Sequence, residues 1–126
     1  MKTLFSIIES PLHPKLAGLF TRLGFDEVQL TSTRKAVSQL RKQKPDLVIA
    51  DFVYGYSNNY SGIHISNLDV FLMSMQKFAP DTPVIILATK GELEHAEKMR
   101  GICEIAAILP FTVSEEKLVA TLVATL

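Results

Sequence analysis

The sequence contains a single cysteine among 126 residues, Cys103, so no disulfide can close within the chain. That usage fits a reducing compartment, and the expected location is the cytoplasm. There is no excess of charge of either sign: 13 Lys and Arg stand against 13 Asp and Glu. A balanced chain gives no electrostatic case for nucleic acid or an anionic membrane, so neither is expected as a partner. No apolar run approaches the ~20 residues of a membrane span. The opening "MKTLFSIIESP" is too short, and polar too soon, to read as a signal peptide. Repeats, low-complexity tracts and linkers are missing. So are the phosphate-binding loops Gly-x-x-x-x-Gly-Lys and Gly-x-Gly-x-x-Gly.

The composition that remains is globular. Hydrophobic residues make up 48% and charged residues 21%, and the length suits one domain over residues 1–126. At this size folding buries about two-thirds of the unfolded surface, which needs no metal or disulfide staple.

Short apolar runs alternate with amphipathic stretches. The runs fall at 3–8, 27–32, 46–50, 83–88 and 105–109, and the last three are almost continuously apolar, as strands covered on both faces are. Between them, Leu16, Leu19, Phe20 and Leu23 share a helical face that Gly24 stops. Ala36, Val37 and Leu40 form the next stripe, ended by Lys44-Pro45. Leu68, Phe71, Leu72 and Met75 form a third. Segment 92–100 is polar, with Glu94 and Lys98 spaced for an i,i+4 pair. Leu118 and Leu122, with Val119 or Val123, give the last. Thr89 with Glu92 and Thr112 with Glu115 have capping-box spacing. Five strands alternating with five helices predict an α/β fold with a parallel sheet and right-handed crossovers. Ligands of such sheets sit beyond the C-terminal strand ends. Here those ends carry Glu9-Ser10, Asp51, Ala88-Thr89 and Leu109-Pro110.

Three stretches in order carry a resemblance that spans nearly the whole chain. They are "GFDEVQLTSTRKAVSQLRKQKPDLVIADFVYG", "DTPVIILATKGE" and "AAILPFTVSEEKL". Together they resemble the receiver domain of bacterial response regulators, the CheY-like fold. The resemblance implies a flavodoxin-like (βα)5 three-layer sandwich with one five-stranded sheet of order 2-1-3-4-5. It also implies an acceptor aspartate, two acidic metal ligands after strand one, a Ser or Thr after strand four and a Lys after strand five. Asp51 stands at the acceptor position and Glu9 at the first acidic position, but Ser10 replaces the second acid. Ala88 stands where the hydroxyl belongs, with Thr89 after it, and adjacent strand residues point to opposite faces. Leu109 stands where the lysine belongs, followed by the expected Pro110-Phe111, and the family implies a cis bond before Pro110. The aromatic switch position on strand five is Ala106.

Phosphoryl transfer to a carboxylate needs a cation and fixed donors around anionic oxygens. With the hydroxyl and ammonium missing, the expectation is a degenerate receiver, a pseudo-receiver. It would be no enzyme but a protein-interaction module, needing no cofactor. Asp51 is expected to act chiefly as a strand-end carboxylate that caps the following loop. If Glu9 and Asp51 converge, one pKa rises and weak magnesium binding follows. Lys90 is a minor candidate to reach inward from the fourth-strand loop. Thr89 reads as an N-cap, Cys103 as a buried small hydrophobe, and His13, His64 and His95 as exposed or interface histidines without metal-ligand spacing. Arg34, Lys35, Arg41 and Lys42 read first as a solvated helix face and second as a patch for an acidic partner. The long loop "FVYGYSNNYSGIHISN" sets Tyr54, Tyr56 and Tyr60 among small residues, suited either to a lid or to partner contact. The expected partner is a signalling protein, a histidine kinase or a downstream effector, and the family implies homodimers through helix 4, strand 5 and helix 5. Two alternatives stand beside this: a phosphorylated receiver in a two-component phosphorelay, and a small-ligand binder of the same fold. "ESPLHPKL" is not a flavin phosphate loop, and Pro11 stands where a cobalamin site would want Asp relative to His13.

Overall fold

A computed structural model describes residues 2–55 and 66–126. Tyr56, Tyr60 and His64 lie outside the described residues. The chain runs β1 (Lys2–Ile7), α1 (Ala17–Arg22), β2 (Phe25–Leu30), α2 (Thr33–Lys42), β3 (Leu47–Asp51), α3 (Asp69–Phe78), β4 (Val84–Ala88), α4 (Leu93–Glu97), β5 (Ala107–Pro110) and α5 (Glu115–Thr125). The strands form one sheet of order β2-β1-β3-β4-β5, and every pairing is parallel. The alternation predicts the parallel sheet, and the order is the flavodoxin-like one that the resemblance implies.

Strand alternation builds two cores. Phe5, Ile7, Val48, Ala50, Val84 and Ile86 pack with residues of α2, α3 and α4. Their neighbours Leu4, Leu47, Ile49, Ile85 and Leu87 pack with those of α1 and α5. Every residue of β3 and β4 is buried, which accounts for their unbroken apolar runs. Register sets Ile7 beside Ala50, Asp51 beside Leu87, and Ala88 beside Pro110, so the strand ends come level at one edge of the sheet.

Several local expectations change. Thr89 makes no side-chain cap; its carbonyl accepts the Glu92 N–H in a 3-10 turn before α4. The α5 cap is Ser114, whose hydroxyl accepts the Lys117 N–H, because a turn from Pro110 to Val113 delays the helix past Thr112. The chain tightens to 3-10 geometry at Lys98, so Glu94 and Lys98 do not pair and Glu97 pairs with Arg100 instead. Described peptide bonds are all trans, including the one before Pro110, which stays in the ladder beside Ala88. Ala106 precedes β5 rather than lying in it, and is exposed.

Candidate functional site

Asp51 ends β3 with no exposed surface. Its carboxylate does not cap the loop that follows. It holds the loop after β1: Oδ2 accepts the backbone N–H groups of Glu9 and Ser10, each at 3.1 Å. Oδ1 lies 2.6 Å from Nδ1 of His13. Local turn chemistry delivers that histidine. The Ser10 hydroxyl accepts the Leu12 N–H and the Ser10 carbonyl accepts the His13 N–H, and Pro11 and Pro14 stiffen the backbone on both sides. A carboxylate only accepts, so Nδ1 carries the proton. The His13 side chain is 7% exposed. Of the exposed and interface readings of His13, the exposed one is therefore corrected: the side chain turns inward onto the buried carboxylate.

Asn67 organises the other side. Its Nδ2 donates to Glu9 Oε1 and to the Asp51 carbonyl, both at 2.8 Å, and its Oδ1 accepts the Val53 N–H at 2.8 Å. Its own N–H donates to the Val53 carbonyl. One buried amide thus ties together the ends of β1 and β3 and the start of α3. Glu9 does converge on Asp51. Burial raises its carboxyl above the ordinary range and the Asp51 charge adds to this, while hydrogen bonds from Asn67 and the Thr33 N–H pull the other way.

The remaining positions lie apart from this cluster. Ala88 is fully buried in the core under α2, α3 and α4. Leu109 is buried on the opposite side with Leu87, Phe111 and Leu118, so the position at which the resemblance leads one to expect a lysine is filled by core packing. Thr89 is half-buried, and Lys90 is exposed with no ion pair among the described residues. Tyr54 forms an antiparallel bridge with Ser66 and stacks on His95 of α4, ring centroids 3.9 Å apart. His95 is consequently half-buried, and its Nδ1 is enclosed without a hydrogen-bond partner among the described residues, which corrects the exposed half of its exposed-or-interface reading.

The residues present do not fit a magnesium ion. Magnesium needs open oxygen lone pairs in near-octahedral array. Both Asp51 oxygens face donors, Glu9 Oε1 faces Asn67, and Ser10 brings no carboxylate. No group of three His, Cys, Asp or Glu side chains among the described residues is placed to hold a metal.

Neither His13 nor Asn67 stands out in the sequence. The signal available for His13 is its position between two prolines in the turn after a strand that leads to the crevice. Asn67 lies 16 residues beyond Asp51 in the sequence, and no spacing rule reaches it.

No protein-family model matches the sequence, and no curated protein matches it. Solved structures do. The N-terminal domain of a response regulator/sensory box/GGDEF three-domain protein from Carboxydothermus hydrogenoformans aligns with a TM-score of 0.76 at 17% identity, over 98% of this chain and 93% of that one. A response regulator receiver domain protein from Clostridium thermocellum aligns at 0.74 and 19% identity, over 99% and 94%. The receiver domain of a sensor histidine kinase from Pseudomonas aeruginosa, solved with magnesium coordinated in its active-site cleft, aligns at 0.74 and 12% identity, over 96% and 93%. The chain has the fold of the response regulator receiver domains.

Proposed function

We propose that this chain is a receiver-like signalling domain that acts as a protein-interaction module and is not phosphorylated efficiently on Asp51. One observation carries the reading: the Asp51 carboxylate is buried and already holds three donors, from His13, Glu9 and Ser10. To attack a phosphoryl group, the carboxylate must first give up the His13 bond, and hydrogen bonds to charged groups contribute about 1.5–3 kcal/mol. The transition state would then lack the family's hydroxyl, at Ala88, and its ammonium, at Leu109. Loss of one such fixed donor typically costs about 3–4 kcal/mol. The two losses need not add, but both act in the same direction. The partner on this reading is a signalling protein, either a histidine kinase or a downstream effector. Pairing of two copies through α4, β5 and α5 belongs to the same proposal, as does a cytoplasmic location.

The test is incubation with acetyl phosphate and magnesium, read by intact mass spectrometry beside Asp51→Asn. The expected result is no phosphoryl adduct that depends on Asp51. A stable aspartyl phosphate would overturn the reading in favour of a phosphorylated receiver. His13→Ala serves as a second arm. It frees Oδ1 yet restores neither the hydroxyl nor the ammonium, so it too is expected to remain unmodified.

A further inference from the structure

The net charge of zero hides a local excess of basic residues on one helix. Helix α2, "TRKAVSQLRK", contains no acidic residue. The exposed carboxylates Glu94 and Glu97 are on α4, and Glu115 and Glu116 open α5. Ala36 and Leu40 turn α2 onto the core. Arg34, Val37, Ser38 and Arg41, at i, i+3, i+4 and i+7, then form a stripe beside α3, with the two arginines about 10 Å apart along the axis. With Thr33 and Val70 of α3 they line a groove of about 370 Å³. Val70 is 52% exposed and Met73, one turn further along α3, is 51% exposed. Arg34 and Arg41 make no ion pair or hydrogen bond among the described residues.

Two unpaired guanidinium groups two turns apart, with apolar side chains between and beside them, specify a complementary shape. We propose that the α2–α3 groove docks an acidic amphipathic helix of a partner protein. Carboxylates seven residues apart on that helix pair with Arg34 and Arg41. A leucine-like side chain between them packs on Val37, Val70 and Met73. Planar guanidinium groups suit carboxylates in a two-bond fork, and helix-in-groove binding reads anchors at this same period. A phosphodiester backbone would use the arginines but gain nothing from the three apolar side chains. A flat membrane surface would not fill a groove. The inference concerns the outer face of α2 and α3, which touches the Asp51 cluster only through Thr33, and does not depend on whether Asp51 is modified.

The probe is a fluorescein-labelled helical peptide of about 16 residues, with glutamates at i and i+7 and leucines at i+3 and i+4. Anisotropy titration is expected to give a micromolar Kd that weakens at least about tenfold in the double variant Arg34→Glu/Arg41→Glu and also on raising the salt. Val70→Ser is expected to weaken binding several-fold at unchanged salt dependence. All three residues are largely exposed, so circular dichroism should show the variants folded. Amide shifts on adding peptide should concentrate on α2 and α3. The proposal is overturned if the peptide fails to bind, if a scrambled peptide of the same composition binds equally well, or if charge reversal leaves the affinity unchanged. It is equally overturned if a DNA oligonucleotide or phosphatidylserine vesicles displace the peptide and bind more tightly.

Discussion

Replacing Asp51 with alanine removes the acceptor of three donors at once, the Nδ1–H of His13 and the N–H groups of Glu9 and Ser10. A hydrogen bond to a charged group contributes about 1.5–3 kcal/mol, and a buried donor left without an acceptor costs about 1–3 kcal/mol. The two backbone donors lie in a half-buried turn that water can reach once the carboxylate has gone, so they count for less than the imidazole. Asp51→Ala is therefore expected to lose about 3–5 kcal/mol. His13→Ala leaves the carboxylate buried with two N–H donors and is expected to lose about 2–3 kcal/mol. If the 2.6 Å contact is a working interaction, the double variant falls short of the sum by about 2 kcal/mol. Domains of this size typically hold about 5–15 kcal/mol, so losses of this size are a large fraction of the total and easily resolved. Urea unfolding followed by circular dichroism gives each term, with an unchanged m-value as the check on two-state behaviour. Losses that add to within about 0.5 kcal/mol would refute the coupling. Asp51 would then not be held closed by His13, and the main support for a silent acceptor would fall with it.

Asn67→Ala should destabilise by about 3–4 kcal/mol in the same unfolding assay, since it leaves the Val53 N–H, the Asp51 carbonyl and Glu9 Oε1 without their shared partner. A loss below about 1 kcal/mol would show that water replaces the amide. Glu9→Gln tests the raised carboxyl: the folded state holds that proton more tightly than the unfolded chain, so the stability it contributes is present below the ordinary glutamate range and is lost as pH rises through the raised folded value. Melting curves should therefore show Glu9→Gln gaining on the parent as pH rises through and above the ordinary glutamate range, and a constant gap would contradict the shift. Gly55→Ala should cost about 1 kcal/mol from backbone strain alone, because φ is 73° and a Cβ there meets no neighbour among the described residues. A larger loss in thermal melts would reveal a contact at that position.

The fold was legible because burial leaves a period. Leu47 to Ala50 and Val84 to Ala88 have apolar cover on both faces and read as continuous runs, while Ala36 and Leu40 repeat at helical spacing. Strand ends moved by a residue or two, since solvent-side termini such as 31–32 carry no apolar signature. Asp51 was placed correctly because its position follows from a strand end. Its partners were not placed, because His13 and Asn67 reach it through side-chain hydrogen bonds across 38 and 16 residues of chain. Such bonds leave no periodic trace in either segment. The helix caps failed for a related reason: Thr112 and Ser114 both offer hydroxyls near the start of α5, and the turn at Pro110 decides between them.

Val53 and Asn67 face one another through two backbone-directed hydrogen bonds, and Tyr54 and Ser66 continue the pairing. The sheet therefore meets the intervening segment through a fixed two-point mount whose geometry is set by buried groups. Closing a loop from such a mount costs entropy only as the logarithm of its length, about 0.6 kcal/mol for each doubling. Selection can lengthen, shorten or rewrite residues between the two ends while the crevice around Asp51 keeps its shape. Such a mount separates the length and sequence of the intervening segment from the packing that fixes the crevice.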